Sequence, residues 1–187
     1  MGKNLILIGF MGTGKSSVGL KVAERLKMEF VDMDKEIERI TGLTIKELFR
    51  RYGEIRFRSE EKLMAAKLSK RSNLVVATGG GVVLYKENIE ALRNNGIVIC
   101  LEASPEDILE RVNRKKGSRP LLKKNVTTKD IKQMLKEREP FYAQADYRIN
   151  TSERDLYAVV NEIVRIYNHA KLGQAGGKDE QDAGNNS

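Results

Sequence analysis

Gly9-Phe-Met-Gly-Thr-Gly-Lys15-Ser16 fits the pattern G-x-x-x-x-G-K-[ST] in full. No other feature narrows the possible folds so far. It follows the apolar run Asn4-Leu-Ile-Leu-Ile8 and opens a segment, Lys15 to about Lys27, with Val18, Leu20, Val22, Ala23 and Leu26 on an apolar side. Strand, glycine loop, helix is the setting in which the pattern has physical meaning. Glycines let successive backbone N–H groups curl toward phosphate oxygens, and the new helix aims its positive end at the same place. Lys15 then reaches the β and γ phosphates, and the Ser16 hydroxyl is a magnesium ligand. A chance match in a chain of this size is on the order of one per cent. A plain glycine turn would not require Lys-Ser, so nucleotide binding is the expectation.

The rest of the chain alternates strand and helix patterns. Strands are expected at Phe30-Val31, Leu74–Ala77, Ile97–Leu101 and Tyr147–Asn150. Helices are expected over Asp34–Ile40, from Thr44 to Tyr52, over about Glu54–Leu68, Lys86–Asn94, from Ser104-Pro105, over about Lys129–Gln144 and about Arg154–Ala170. Thr44-Ile-Lys-Glu47 is a capping box, and Ser104 caps a helix with Pro105 in its first position. Ile55, Leu63, Ala66 and Leu68 are the expected core contacts of the long helical stretch. Such alternation implies an α/β fold, a three-layer sandwich whose parallel sheet carries helices on both faces. Ligands of these sheets sit at the carboxyl ends of the strands. The basic stretch Arg114–Lys124 reads as a mobile loop, and the Gly- and Asp-rich end from Lys171 as a disordered tail.

The chain has 187 residues and a formal charge of +8, which favours anionic partners without choosing among them. No run approaches a membrane span, and the start is too short for a signal peptide, so the cytoplasm is expected. Gly2 is not read as a lipid attachment site. The single cysteine, Cys100, lies in an apolar strand and reads as a buried hydrophobe. With His169 it makes too few ligands for zinc.

A GTP switch would need an N-K-x-D segment, which is absent, and a helicase would need more chain. A small-molecule or nucleotide kinase remains. Asp32-Met-Asp34 ends the second strand. One carboxylate there sits by magnesium and the next holds or deprotonates an acceptor hydroxyl, unless Asp34 merely caps the following helix. Gly79-Gly-Gly81 permits close backbone approach to a ligand, or is a plain loop.

Beyond these, the chain resembles the shikimate kinases from Lys3 to about Ala170. The likeness lies in Gly9–Ser17, Phe30-Val-Asp-Met-Asp34, Thr41-Gly-Leu-Thr-Ile45, Gly53-Glu-Ile-Arg-Phe-Arg58 with Glu61, Thr78-Gly-Gly-Gly81, Arg119-Pro-Leu-Leu122 and Arg138-Glu-Pro-Phe-Tyr142. The resemblance implies a five-stranded P-loop kinase fold of the nucleoside monophosphate kinase type, one domain over residues 1–170 with a lid near 112–124. It implies transfer of a phosphoryl group from ATP to the 3-hydroxyl of shikimate, with one magnesium ion, by a monomer without nucleic-acid or membrane partners. Asp34, Lys15 and Arg119 would be catalytic. ATP would be held by Gly12, Thr13, Gly14, Lys15, Ser16, Ser17 and Arg119, with Arg111 and Arg154 on the adenine side. Asp34, Arg58, Gly79, Gly80, Gly81 and Arg138 would hold shikimate, the two arginines clamping its carboxylate. Ser16 and Asp32 would hold the metal. A gluconate kinase would share the phosphate loop but not the arginine clamp with the triple glycine. A basic, ATP-responsive nucleic-acid binder would need aromatic residues interleaved with the basic ones, and these are missing.

Overall fold

The computed structural model describes residues 3–114 and 126–175. Five strands carry the fold: β1 (Asn4–Ile8), β2 (Glu29–Asp32), β3 (Leu74–Ala77), β4 (Gly96–Glu102) and β5 (Tyr147–Asn150). They form one parallel sheet in the order β2-β3-β1-β4-β5. The chain crosses from one side of β1 to the other between β3 and β4, so a crevice opens beyond the carboxyl end of β1. The glycine loop lies there.

Alternate residues of each strand face opposite layers. Ile6, Ile8, Val76, Val98 and Cys100 pack with the helices α2 (Met33–Thr41), α3 (Ile45–Leu68), α4 (Lys86–Arg93), α5 (Pro105–Arg114) and α6 (Thr128–Tyr142). Leu5, Leu7, Val75, Ile97, Ile99 and Leu101 pack with α1 (Lys15–Leu26) and α7 (Leu156–Ala175). The expected three-layer sandwich is therefore present. No helix among the described residues is long and apolar enough to cross a membrane.

Local chemistry sets the ends. Thr44 Oγ1 accepts from Glu47 N at 3.2 Å and Glu47 Oε2 accepts from Thr44 N at 3.0 Å, the capping box of α3. Ser104 Oγ accepts from Asp107 N at 3.1 Å at the start of α5. Gly53, at φ 78° and ψ 179°, leaves the helical region, so α3 is two helical pieces joined at a kink.

Four expectations need correction. Ile55 is 86% exposed, and Leu63 and Ala66 are also exposed. The inner face of α3 is instead Phe57, Arg58, Glu61, Met64, Ala65 and Leu68, because an ion pair occupies what apolarity alone would give to leucine. Leu20 is largely exposed, as α1 turns Val18, Val22 and Ala23 inward. α7 continues to Ala175, so the tail does not begin at Lys171. The cap of α2 is Asp32, which accepts from Lys35 N at 3.3 Å, so capping does not explain Asp34. Most of the expected lid, including Arg119, and the tail beyond Ala175 lie outside the described residues.

Candidate active site

The crevice at the carboxyl end of β1 is a cleft of about 540 Å³. Its floor is the glycine loop. Gly14 takes φ 95° just before α1, a left-handed conformation that brings the loop round to the helix start. Gly9 lies so close to the Leu101 carbonyl of β4 that a Cβ would overlap it. Thr13 is buried, and its hydroxyl donates to the Phe10 carbonyl at 2.8 Å, fastening the loop from within. Lys15 is also buried and donates to the carbonyls of Gly9 and Phe10 at 2.7 and 2.9 Å. These bonds hold its ammonium over the loop, beside Gly12, Gly14, Ser16 and Ser17 on the cleft wall.

Asp32 comes from the end of β2, and Ser16 Oγ donates to its Oδ2 at 2.6 Å. A hydroxyl and a carboxylate side by side are hard oxygen donors of the kind magnesium takes together with phosphate oxygens and water. The donor set fits that ion. Among the described residues no group of three or more His, Cys, Asp or Glu side chains is arranged to hold a metal. Cys100 is buried, and burial pushes its thiol up to about 12.

The opposite wall is built on α3, α6 and the segment after β3. Arg58 is buried and fully engaged. Its Nη1 meets Glu61 Oε2 at 2.6 Å, and its Nη2 and Nε meet Glu54 Oε1 at 2.7 and 3.1 Å. Burial opposes its charge, but these two carboxylates outweigh burial and raise its pKa. Glu61 is buried too, and its Oε1 has no hydrogen-bond partner among the described residues. Burial, with the Asp34 charge adding to it against Arg58, pushes its carboxyl up to about 7. Asp34 Oδ1 and Glu61 Oε1 converge on Gly79: a Cβ there would stand 2.6 Å from one and 2.9 Å from the other. Arg138 Nη1 donates to the Gly80 carbonyl at 2.7 Å, and its guanidinium lies over the Phe10 ring, 5.1 Å from the centroid.

Asp34, Arg58, Gly80, Gly81 and Arg138 thus line the same cleft as Lys15, Ser16 and Asp32. Gly79 lies behind its wall. Arg111 also lines it, donating to Gly12 O at 3.3 Å and to Thr151 O at 3.2 Å. Arg154 does not reach the cleft. It pairs with Glu162 at 2.7 Å and donates to Asn150 O at 3.1 Å. Sequence reasoning assigned nothing to Glu54, Phe10 or the apolar rim of Ile45, Phe49 and Phe57. Glu54 and Glu61 stand four before and three after Arg58, a spacing that puts all three on one helix face and was open to reading.

The shikimate kinase family model matches residues 11–168. The chain belongs to the shikimate kinase family. The family's curated shikimate kinase of Pelotomaculum thermopropionicum is 50% identical over 88% of this chain and 95% of that one. A shikimate kinase from Acinetobacter baumannii, solved in complex with shikimate, superposes with a TM-score of 0.86 at 39% identity, covering 92% of this chain and 96% of that one. A gluconokinase from Sinorhizobium meliloti superposes with a TM-score of 0.64 at 16% identity, covering 95% and 97%, and shares the fold alone. Membership of the shikimate kinase family, with its ATP-dependent kinases, accounts for a phosphate loop that shares its cleft with a buried and a half-buried arginine.

Proposed function

We propose that this member of the family transfers the γ-phosphoryl group of ATP to the 3-hydroxyl of shikimate, giving 3-phosphoshikimate and ADP. The step belongs to aromatic amino acid biosynthesis. One observation carries the reading: groups suited to phosphate and groups suited to a hydroxylated acid face each other across one cleft. Gly12, Gly14, Ser16 and Ser17 offer backbone and hydroxyl donors to the phosphates, and Lys15 supplies charge near the γ group. Thr13 shapes that loop from inside. Arg111 covers the nucleotide side, and the same reading places Arg154 near the adenine. Arg119, outside the described residues, would close over the phosphates.

On the acceptor side, Arg58 and Arg138 bind the carboxylate, since a guanidinium matches its two oxygens. Asp34 orients the acceptor hydroxyl and accepts its proton. Gly80 supplies its backbone, while Gly79 and Gly81 leave room for Asp34, Glu61 and Arg58. Ser16 and Asp32 would hold magnesium, whose charge offsets that of the phosphates when bound. Phosphoryl transfer needs mainly such positioning and charge neutralisation. A single domain with a lid near 112–124, a monomeric working unit and a cytoplasmic location belong to the same reading.

An assay of ADP release across shikimate, gluconate and nucleoside monophosphates tests it. Turnover with shikimate far above the others is expected. Turnover with another acceptor and none with shikimate overturns it.

A further inference from the structure

One residue touches both halves of the cleft. Phe10, the second residue of the glycine loop, is 1% exposed. Its carbonyl accepts from Lys15 Nζ at 2.9 Å and from Thr13 Oγ1 at 2.8 Å. Its ring faces the other way, beneath the Arg138 guanidinium at 5.1 Å. The Gly80 carbonyl holds the same guanidinium at 2.7 Å. Tyr142, one turn further along α6, is buried, and the Arg138 charge bears on its hydroxyl. Behind Phe10 and Tyr142 lies a second cavity of about 360 Å³, which Leu101 and Leu135 also line.

We propose that Phe10 is a positioning residue that couples the nucleotide loop to the acid clamp. Its ring holds Arg138 in place while its carbonyl shares Lys15. The proposal rests on the reading of Arg138 as a carboxylate clamp. A cation over an aromatic face is drawn to the ring's negative face, and Arg138 sits there half-buried. When Lys15 turns toward a phosphate it changes its bond to the residue that supports Arg138. Nucleotide occupancy then reaches the acceptor pocket through a single residue, and linkage makes the effect reciprocal.

Phe10→Leu keeps an apolar side chain and removes the ring face. The expected result is a KM for shikimate raised about fivefold, with the dissociation constant of ADP measured without shikimate nearly unchanged. In the parent protein, calorimetry should show shikimate binding more tightly with ADP present than without it, and Phe10→Leu should bring that ratio close to one. Progressive fluorination of Phe10 keeps the ring's shape and weakens its negative face, so shikimate affinity should fall step by step even if the leucine variant fails to fold. A comparable rise in the dissociation constant of ADP alone, a flat fluorination series or a parent ratio of one overturns the proposal. Arg138→Ala with unchanged shikimate KM overturns the clamp reading itself, and the coupling with it.

Discussion

The Arg58 guanidinium occupies the space where a side chain on Gly81 would stand. A Cβ there would overlap Nη1 and lie 2.7 Å from Cζ. Gly81 has φ −104°, so its backbone would accept alanine, and the constraint is purely one of space. The arginine cannot easily retreat, because Glu54 and Glu61 grip it from two sides. Gly81→Ala should therefore displace the guanidinium and lower kcat/KM for shikimate by on the order of 100-fold. KM for ATP should stay within about twofold, since the phosphate loop is untouched. Steady-state kinetics with each substrate varied in turn checks this. Equal losses for both substrates would show that the loop, not the arginine, had moved.

Glu61 makes stability depend on pH with a definite sign. Its carboxyl is raised from 4.5 to about 7, by burial first and by the nearby Asp34 charge. Between those two values the folded protein holds a proton that the unfolded chain has released. The resulting stabilisation is whole below pH 4.5 and is lost as pH rises through 7. Denaturant midpoints of the parent and of Glu61→Gln should be compared across this window. The stability of the parent relative to the variant should fall as pH rises to 7 and level off above it. A rise across the same window would contradict the assignment.

Lys15→Met tests the nucleotide side. The ammonium bonds to two loop carbonyls, and on the proposed reading the γ phosphate arrives beside it. Methionine fills a similar volume without the charge. Turnover should fall by about 10³-fold, while circular dichroism and the two-state unfolding transition persist. Near-normal turnover would remove the role given to the lysine.

The parts of this site differ in how openly the sequence displays them. The glycine loop is a contiguous signal, because neighbouring residues shape one stretch of backbone. β1 and β3 were readable to the residue from apolar runs, and β5 has the bounds expected for it. The acceptor wall was not readable by pattern, since Asp34, Arg58 and Arg138 come from α2, α3 and α6 and meet only through packing. The Asp32-Met-Asp34 pair at the end of a strand offered Asp34, and resemblance to a family supplied the two arginines. Burial on α3 misled for a physical reason: Arg58 and Glu61 neutralise each other on the inner face, so charge went inside while Ile55 and Leu63 remained outside. Phe10 was hidden because the motif leaves its position free, and its contact with Arg138 spans most of the chain.

On the proposed reading, Arg138 decides whether the acceptor must be an acid. Its guanidinium is fixed by the Gly80 carbonyl at 2.7 Å and by the Phe10 ring, so it meets a ligand already oriented. Little order is then lost on binding, and the fork can grip both oxygens of a carboxylate. Arg138→Ala should raise KM for shikimate by about 100-fold, the scale of losing one partner of a desolvated charge pair. Arg138→Lys should recover only part of this, because an ammonium keeps the charge but not the paired geometry. KM for ATP should change far less in both variants. Full recovery by lysine would mean that charge alone suffices, and equal damage to both substrates would place Arg138 with the nucleotide instead.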